Sequence, residues 1–380
     1  MPEAHGYLKG LLANLKALRE RVGLSESALE ERLILGPGWI NRFESGDTVP
    51  SIDMVLAILH EVGANFKDLL DSLPEPESIE LERAISAEES GKDVIINFRY
   101  SKFDALYKLP NCTLEEFEEV IKTLRDGLAR LIRADKTQSE SIKSDSVART
   151  FLTAVTRWPA ANPSDLWWFL IYRAYCDPYN HPSNFARLDF AQSWKRTGGW
   201  ALEEILVRHY GPFLRTRGVN LFISNAAQKQ NFIGSLRLAD RIEADKIDVV
   251  LTGETSTGAR FFGVVHVKAS FAERRTDDVP MSMALKQAGY ISPLWTMDCK
   301  STPSANPINR GELGTIDARR SAKRKDIEDQ GYFTGCFSYN SHTRPSPATL
   351  PPERRIYLCN FSNPDDVFSR FIVQWWQRVR

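Results

Sequence analysis

An aspartate, a lysine and a compact acid–base–base cluster stand close together in the second half of the chain. Asp248 follows the polar lead of "ADKIDVVLTG", and Lys268 ends the apolar run "FFGVVHVK". If those runs are neighbouring strands, their ends bring the carboxylate and the ammonium group within a few ångströms. A carboxylate there can hold Mg2+, and the lysine can hold or polarise an attacking water and a scissile phosphate. Asp–Lys pairs at strand ends also arise for purely structural reasons. Glu273, Arg274 and Arg275 come next. Glutamate accepts from cytosine N4, and arginine donates two bonds to guanine O6 and N7. A helix starting here would therefore couple base readers rigidly to the lysine, whereas a solvated helix start is the plain alternative. His266 is suited to orienting water or bonding a phosphate, and equally to being a satisfied strand-end histidine. A rival pair, Asp298-x-Lys300 in "WTMDCK", lies a short way downstream.

The elements that must position these residues are legible in outline. "VNLFIS", "KIDVVLTGE", "RFFGVVHVK", "SPLWTMDCK" and "RIYLCNF" read as strands. "DLWWFLIYRAY", a segment from Trp200 to before Gly218, "MSMALKQAG" and "VFSRFIVQWWQRV" read as helices. Helices interleaved with strands around a mixed sheet make an α/β (α+β) fold. Upstream, Thr113 and Glu116 form a capping-box signature. The serine-rich "KTQSESIKSDS" (136–146) reads as a flexible linker. The expected division is an all-helical domain over 1–73, a helical and linker region over 74–150, and a catalytic domain over 151–380.

The Asp248–Lys268 arrangement resembles the PD-(D/E)xK nuclease superfamily, which implies Asp248 as metal carboxylate and Lys268 as catalytic lysine. The acid that usually stands two residues before the lysine is replaced by His266. The chain resembles one branch of the type II restriction endonucleases, which reads sites with a CCGG-like core and takes the missing carboxylate from a helix. That branch has an acid and arginines shortly after the lysine, where Glu273, Arg274 and Arg275 stand. Its first arginine falls on Ala272, and its helix glutamate falls on Met281 or Ser282. The resemblance points first to Glu204, on the helix before the first strand, as the further metal carboxylate, and second to Asp278. It implies Mg2+ as cofactor, double-stranded DNA as substrate, and a homodimer matching a two-fold symmetric site.

Residues 7–73 are periodic in short helical pieces, with Ser25 and Ser51 as N-caps. Leu24-Ser25, Leu29 and "INRFESG" followed by "VPS" resemble the lambda-repressor-like (XRE-type) helix-turn-helix family. The recognition helix would begin at Gly36-Pro37-Gly38, which offers no side chain to a base edge. Glu30 stands where that family has a small residue. Residues 1–73 hold seven Lys and Arg against eleven Asp and Glu, a net charge of −4. Phosphate attraction needs the opposite sign. The alternative reading is a transcriptional regulator with a C-terminal sensing or oligomerising domain.

Composition narrows the field without deciding it. The formal net charge of the whole chain is zero, so no bulk field announces a polyanion or a membrane, although local basic patches such as "ARRSAKRKDIED" remain open. Five scattered cysteines without CxxC spacing argue against a disulfide framework and a zinc site. The opening "MPEAHGYLKGLLANLKALRER" has no long apolar run and reads as neither signal peptide nor anchor. A cytoplasmic protein without membrane contact is expected.

Overall fold

The computed structural model describes residues 2–71, 73, 85–100, 103–175, 190–225, 228–230, 234, 247–270, 275–299, 309–314 and 320–380. The chain divides into two compact units, residues 1–81 and 82–380.

In the first unit α1 (Pro2–Arg21), α2 (Glu26–Arg32), α3 (Trp39–Glu44), α4 (Ile52–Glu61) and α5 (Phe66–Leu70) enclose Leu15, Leu29, Ile40, Phe43, Ile58 and Leu69. Ser25 and Ser51 each accept an amide hydrogen bond as N-caps, satisfying donors that a helix start leaves open. α3 has no such side chain, because its N-cap is Gly38 in the left-handed region at φ 82°. The buried Glu30 carboxylate instead accepts from the Ile40 amide at 2.9 Å. The acid that departs from the helix-turn-helix pattern thus caps the neighbouring helix from inside.

The second unit opens with an antiparallel sheet of β1 (Ile85–Ser90), β2 (Asp93–Tyr100) and β3 (Phe103–Leu109). α6 (Leu114–Ala129) follows, started by the reciprocal Thr113–Glu116 capping box. Residues 136–146 are not a linker. They begin α7 (Lys136–Arg157), whose N-cap Asp135 accepts from the amides of Thr137 and Gln138. Ser146 belongs to a tight helix contact: a Cβ on Gly127 of α6 would lie 2.7 Å from that of Ser146. Small side chains there read as flexibility in sequence and act as close packing in the fold. The expected 150/151 boundary consequently falls inside α7.

α8 (Pro163–Tyr175) buries Trp167 and Tyr172, and α9 (Phe190–Arg215) starts ten residues before the expected Trp200. A six-stranded sheet follows in the order β4 (Val219–Ile223), β5 (Val249–Thr255), β6 (Gly258–Lys268), β7 (Leu294–Thr296), β8 (Cys336–Ser338) and β9 (Ile356–Leu358). β4, β5 and β6 pair antiparallel, while β6 through β9 pair parallel. The described helices of this part of the unit are α10 (Arg275–Gln287), α11 (Ala322–Glu328) and α12 (Val367–Val379).

Candidate active site

Alternation along β6 puts Val264, His266 and Lys268 on one face of the sheet. The same face of β5 carries Val250 and, one residue before the strand, Asp248. α10 packs here through Met281 and Leu285 against Ile247, Val250 and Val264. Asp278 lies three and seven residues before those two, on the same helical stripe. The helix that covers the sheet therefore delivers a carboxylate to the end of β6.

These residues meet. Asp248 Oδ2 accepts from the Val267 amide at 2.9 Å and from Lys268 Nζ at 2.7 Å. Lys268 Nζ is also 3.3 Å from Asp278 Oδ1, so the ammonium bridges two carboxylates. His266 Nδ1 is 3.7 Å from Asp278 Oδ1, and its Nε2 lies 2.7 Å from Ser292 Oγ. Burial alone would push the Asp278 carboxyl up, but His266 and Lys268 outweigh it and hold it below the usual carboxylate range. Asp278 is therefore an anion at neutral pH. Its Oδ2 is buried with no hydrogen-bond partner among the described residues. An orphaned carboxylate oxygen is costly unless something else takes its lone pairs.

Two carboxylates against one ammonium leave the cluster with a net negative charge. Among the described residues no group of three or more His, Cys, Asp or Glu is arranged to hold a metal ion. A magnesium-type ion needs less, since it takes one or two carboxylates and completes its shell with water and phosphate oxygens. Asp248 and Asp278, with its unpartnered Oδ2, fit that demand.

The other candidates fall elsewhere. His266 is wholly buried, so in this arrangement it touches neither solvent nor a phosphate. The described ion pair of Glu204 is to Arg208 at 2.9 Å, and Arg208 in turn binds Asp145 at 3.0 Å. No described contact joins Glu204 to Asp248 or Lys268. Glu273, Arg274 and Lys300 lie outside the described residues, as does the side chain of Arg275, the first residue of α10.

Asp298, the rival acid, is fully occupied. It sits in the left-handed region at φ 44° and accepts from the Glu312 amide at 2.6 Å and the Thr343 hydroxyl at 2.7 Å. Burial pushes its carboxyl up to about 7. It clamps the loop around Gly311, where a Cβ would fall 2.3 Å from Asp298 Oδ2. Three of the four described basic residues in the run over 318–329 are paired to acids, and Lys325 is exposed. Arg320 binds Glu328 and Asp329, Lys323 binds Glu312, and the buried Arg324 binds Glu328. Ser292 had no signal in the sequence, because nothing local marks a serine that will lie beside a histidine 26 residues away.

Residues 11–73 match a family model described as a helix-turn-helix domain. A type II restriction enzyme, AgeI from Thalassovita gelatinovora, is 40% identical over 264 residues, which covers 67% of this chain and 91% of the relative. The chain belongs to the type II restriction enzymes. This restriction endonuclease also matches the crystal structure of AgeI in specific complex with DNA, at a TM-score of 0.61 and 34% identity. That match covers 77% of this chain and 99% of the other. The chain is a sequence-specific endonuclease of double-stranded DNA with an additional N-terminal helix-turn-helix domain, and the regulator reading is set aside. No helix among the described residues is long and apolar enough to cross a membrane.

Proposed function

We infer that this restriction endonuclease cuts DNA with Asp248, Asp278 and Lys268, using Mg2+ held by the two carboxylates. The observation that carries the reading is the Lys268 ammonium bridging both carboxylates at the end of β6, beside an Asp278 oxygen without a partner. When bound, the ion supplies Lewis-acid polarisation of the phosphate and a more acidic water. Lys268 positions the attacking water and offsets charge that builds on the phosphate oxygens. Asp248 aligns Lys268 and ties it to the β6 backbone through the Val267 amide. Asp278 takes the metal-carboxylate role first expected of Glu204, whose described partner is Arg208.

Base reading belongs in this proposal to Glu273, Arg274 and Arg275, which directly precede or begin α10. Their chemistry fits adjacent C:G pairs, so the recognition site contains CC and GG, as a CCGG core. A two-fold symmetric site is cut by a homodimer, one active site per strand, in the cytoplasm.

The test is plasmid cleavage in Mg2+ with the wild type and with Asp248→Ala, Lys268→Ala and Asp278→Ala. Each variant should lose cleavage by at least about a hundredfold while retaining specific binding, since removing a positioned electrostatic group costs ~10²–10³ in rate. Mapped wild-type cuts should fall in sites with adjacent C:G pairs. Normal cutting by Lys268→Ala alongside an inactive Lys300→Ala would move the site to the Asp298 strand. Cuts at sites without adjacent C:G pairs would overturn the readout.

A further inference from the structure

We propose that His266 and Ser292 act as a positioning pair that fixes the Asp278 carboxylate and decides which of its oxygens is offered to the cation. The inference rests on the site proposed above and adds a role for two residues that touch no substrate.

His266 occupies the strand position where an acid would put its charge straight into the cluster. The imidazole brings no carboxylate to the cluster, and it is fully buried. It is instead held on two sides, with Ser292 Oγ at 2.7 Å on Nε2 and the Phe333 ring edge-on at 5.3 Å. Its Nδ1 faces Asp278 Oδ1 at 3.7 Å, beyond hydrogen-bond distance, and has no hydrogen-bond partner among the described residues. Ser292 is itself immobilised, donating its amide to Thr334 Oγ1 at 3.0 Å. The segment around it is laced to β6, with the Val264 amide donating to the Ile291 carbonyl at 3.1 Å and the His266 amide to the Pro293 carbonyl at 2.9 Å. The ring therefore has one orientation.

Where the Ser292 hydroxyl donates to Nε2, Nδ1 is the nitrogen that carries a hydrogen toward Asp278. Asp278 Oδ1 then faces the Lys268 ammonium at 3.3 Å and the ring nitrogen at 3.7 Å, whereas Oδ2 has no hydrogen-bond partner among the described residues. The asymmetry directs Oδ1 to the protein and leaves Oδ2 for an external cation. The histidine thus trades the charge of a strand carboxylate for control over a helix carboxylate. Residues that orient a metal-binding carboxylate in this way change metal affinity or activity by ~10–100-fold when removed.

The test uses the full-length protein on an uncleavable cognate duplex, with Mn2+ binding followed by electron paramagnetic resonance and cleavage measured separately against Mg2+ concentration. Ser292→Ala removes one buried oxygen and should weaken Mn2+ binding about 10–100-fold, raising the Mg2+ needed for half-maximal cleavage in parallel. Duplex affinity without metal and melting temperature should stay near wild type, and Ser292→Thr, which restores a hydroxyl, should recover most of the loss. His266→Gln keeps a group able to bond Ser292 but lacks the nitrogen facing Asp278, and it should show the same metal defect. It decides the question if Ser292→Ala does not fold. Unchanged Mn2+ affinity in both variants, with Asp278→Ala inactive, would remove the positioning role and leave the site standing. Normal cutting by Asp248→Ala and Asp278→Ala would instead remove the site itself.

Discussion

Asp145 gathers three arginines from different parts of the helical layer. Arg130 reaches it at 2.6 Å, Arg149 at 2.7 Å and Arg208 at 3.0 Å. Burial pushes this carboxyl up, and the three guanidinium groups more than reverse that, leaving it well below the usual carboxylate range. A group more acidic in the folded chain than in the unfolded one binds fewer protons when folded. Its stabilisation is therefore present above the unfolded pKa near ~4 and is lost as pH falls further. Asp145→Asn should cost about 1–3 kcal/mol at pH 7, the scale of hydrogen bonds to a charged group. Melting temperatures from pH 8 to pH 3 check it. The gap to wild type should hold down to about pH 5 and narrow below the unfolded carboxylate value. At this same scale lies the limit of what the sequence discloses. Asp298-x-Lys300 matches an acid-x-lysine text more literally than His266-x-Lys268 does. Yet Asp298 is a loop clamp, and no string of letters shows that its oxygens already accept two backbone amides and a hydroxyl. Asp248 and Lys268 were legible because each stands at the end of an apolar strand.

Among the elements, β5 and β6 announce themselves by length and apolar character, whereas β8, as short as β7 and β9, sits between Gly335 and the polar run from Asn340 and carries no longer apolar stretch to mark it. α7 was hidden for another reason, three of its serines, Ser139, Ser144 and Ser146, being buried packing residues. Gly253 in β5 is another position where a small residue carries packing information. A Cβ there would sit 2.1 Å from the Trp376 ring of α12, and Trp376 is almost wholly buried. The closing helix therefore lies directly on the strand backbone. Gly253→Ala forces one of them to move and should destabilise the protein by about 1–3 kcal/mol, read by denaturant unfolding. Gly199, inside α9 with nothing within 4 Å of its added Cβ, is the matched control. Alanine there should be neutral or stabilise by up to about 1 kcal/mol.

The molecule as a whole joins two compact units of different character. The helix-turn-helix unit carries net negative charge over residues 1–73 and begins its third helix on a left-handed glycine. The one arginine of that helix, Arg42, lies over the Trp39 ring at 5.4 Å. Nothing in that arrangement favours phosphate attraction or base reading. A chain beginning at residue 82 should fold and cut at the same sites as the full protein, as judged by mapping fragments from one plasmid. A changed recognition site in the shortened enzyme would show that the first unit contributes to specificity. The end of the helix-turn-helix stretch was legible from the change in pattern near residue 73. The absorption of 85–150 into the second unit was not, because it depends on contacts between residues far apart in sequence.

The hairpin of β5 and β6 contains a register shift between Leu251 and Thr252. On the inner side of the shift Val249 pairs with Val265, next to Asp248 and Lys268; on the outer side Thr255 pairs with Gly258 at an exposed turn. The shift lets the two halves of the hairpin keep separate alignments. A guest sequence placed between Ser256 and Thr257 would have its strain absorbed at the irregularity before reaching the inner pairs. That turn is consequently the natural port for building a fused reporter or a ligand-controlled module into this enzyme while the spacing of Asp248 and Lys268 is left as it is.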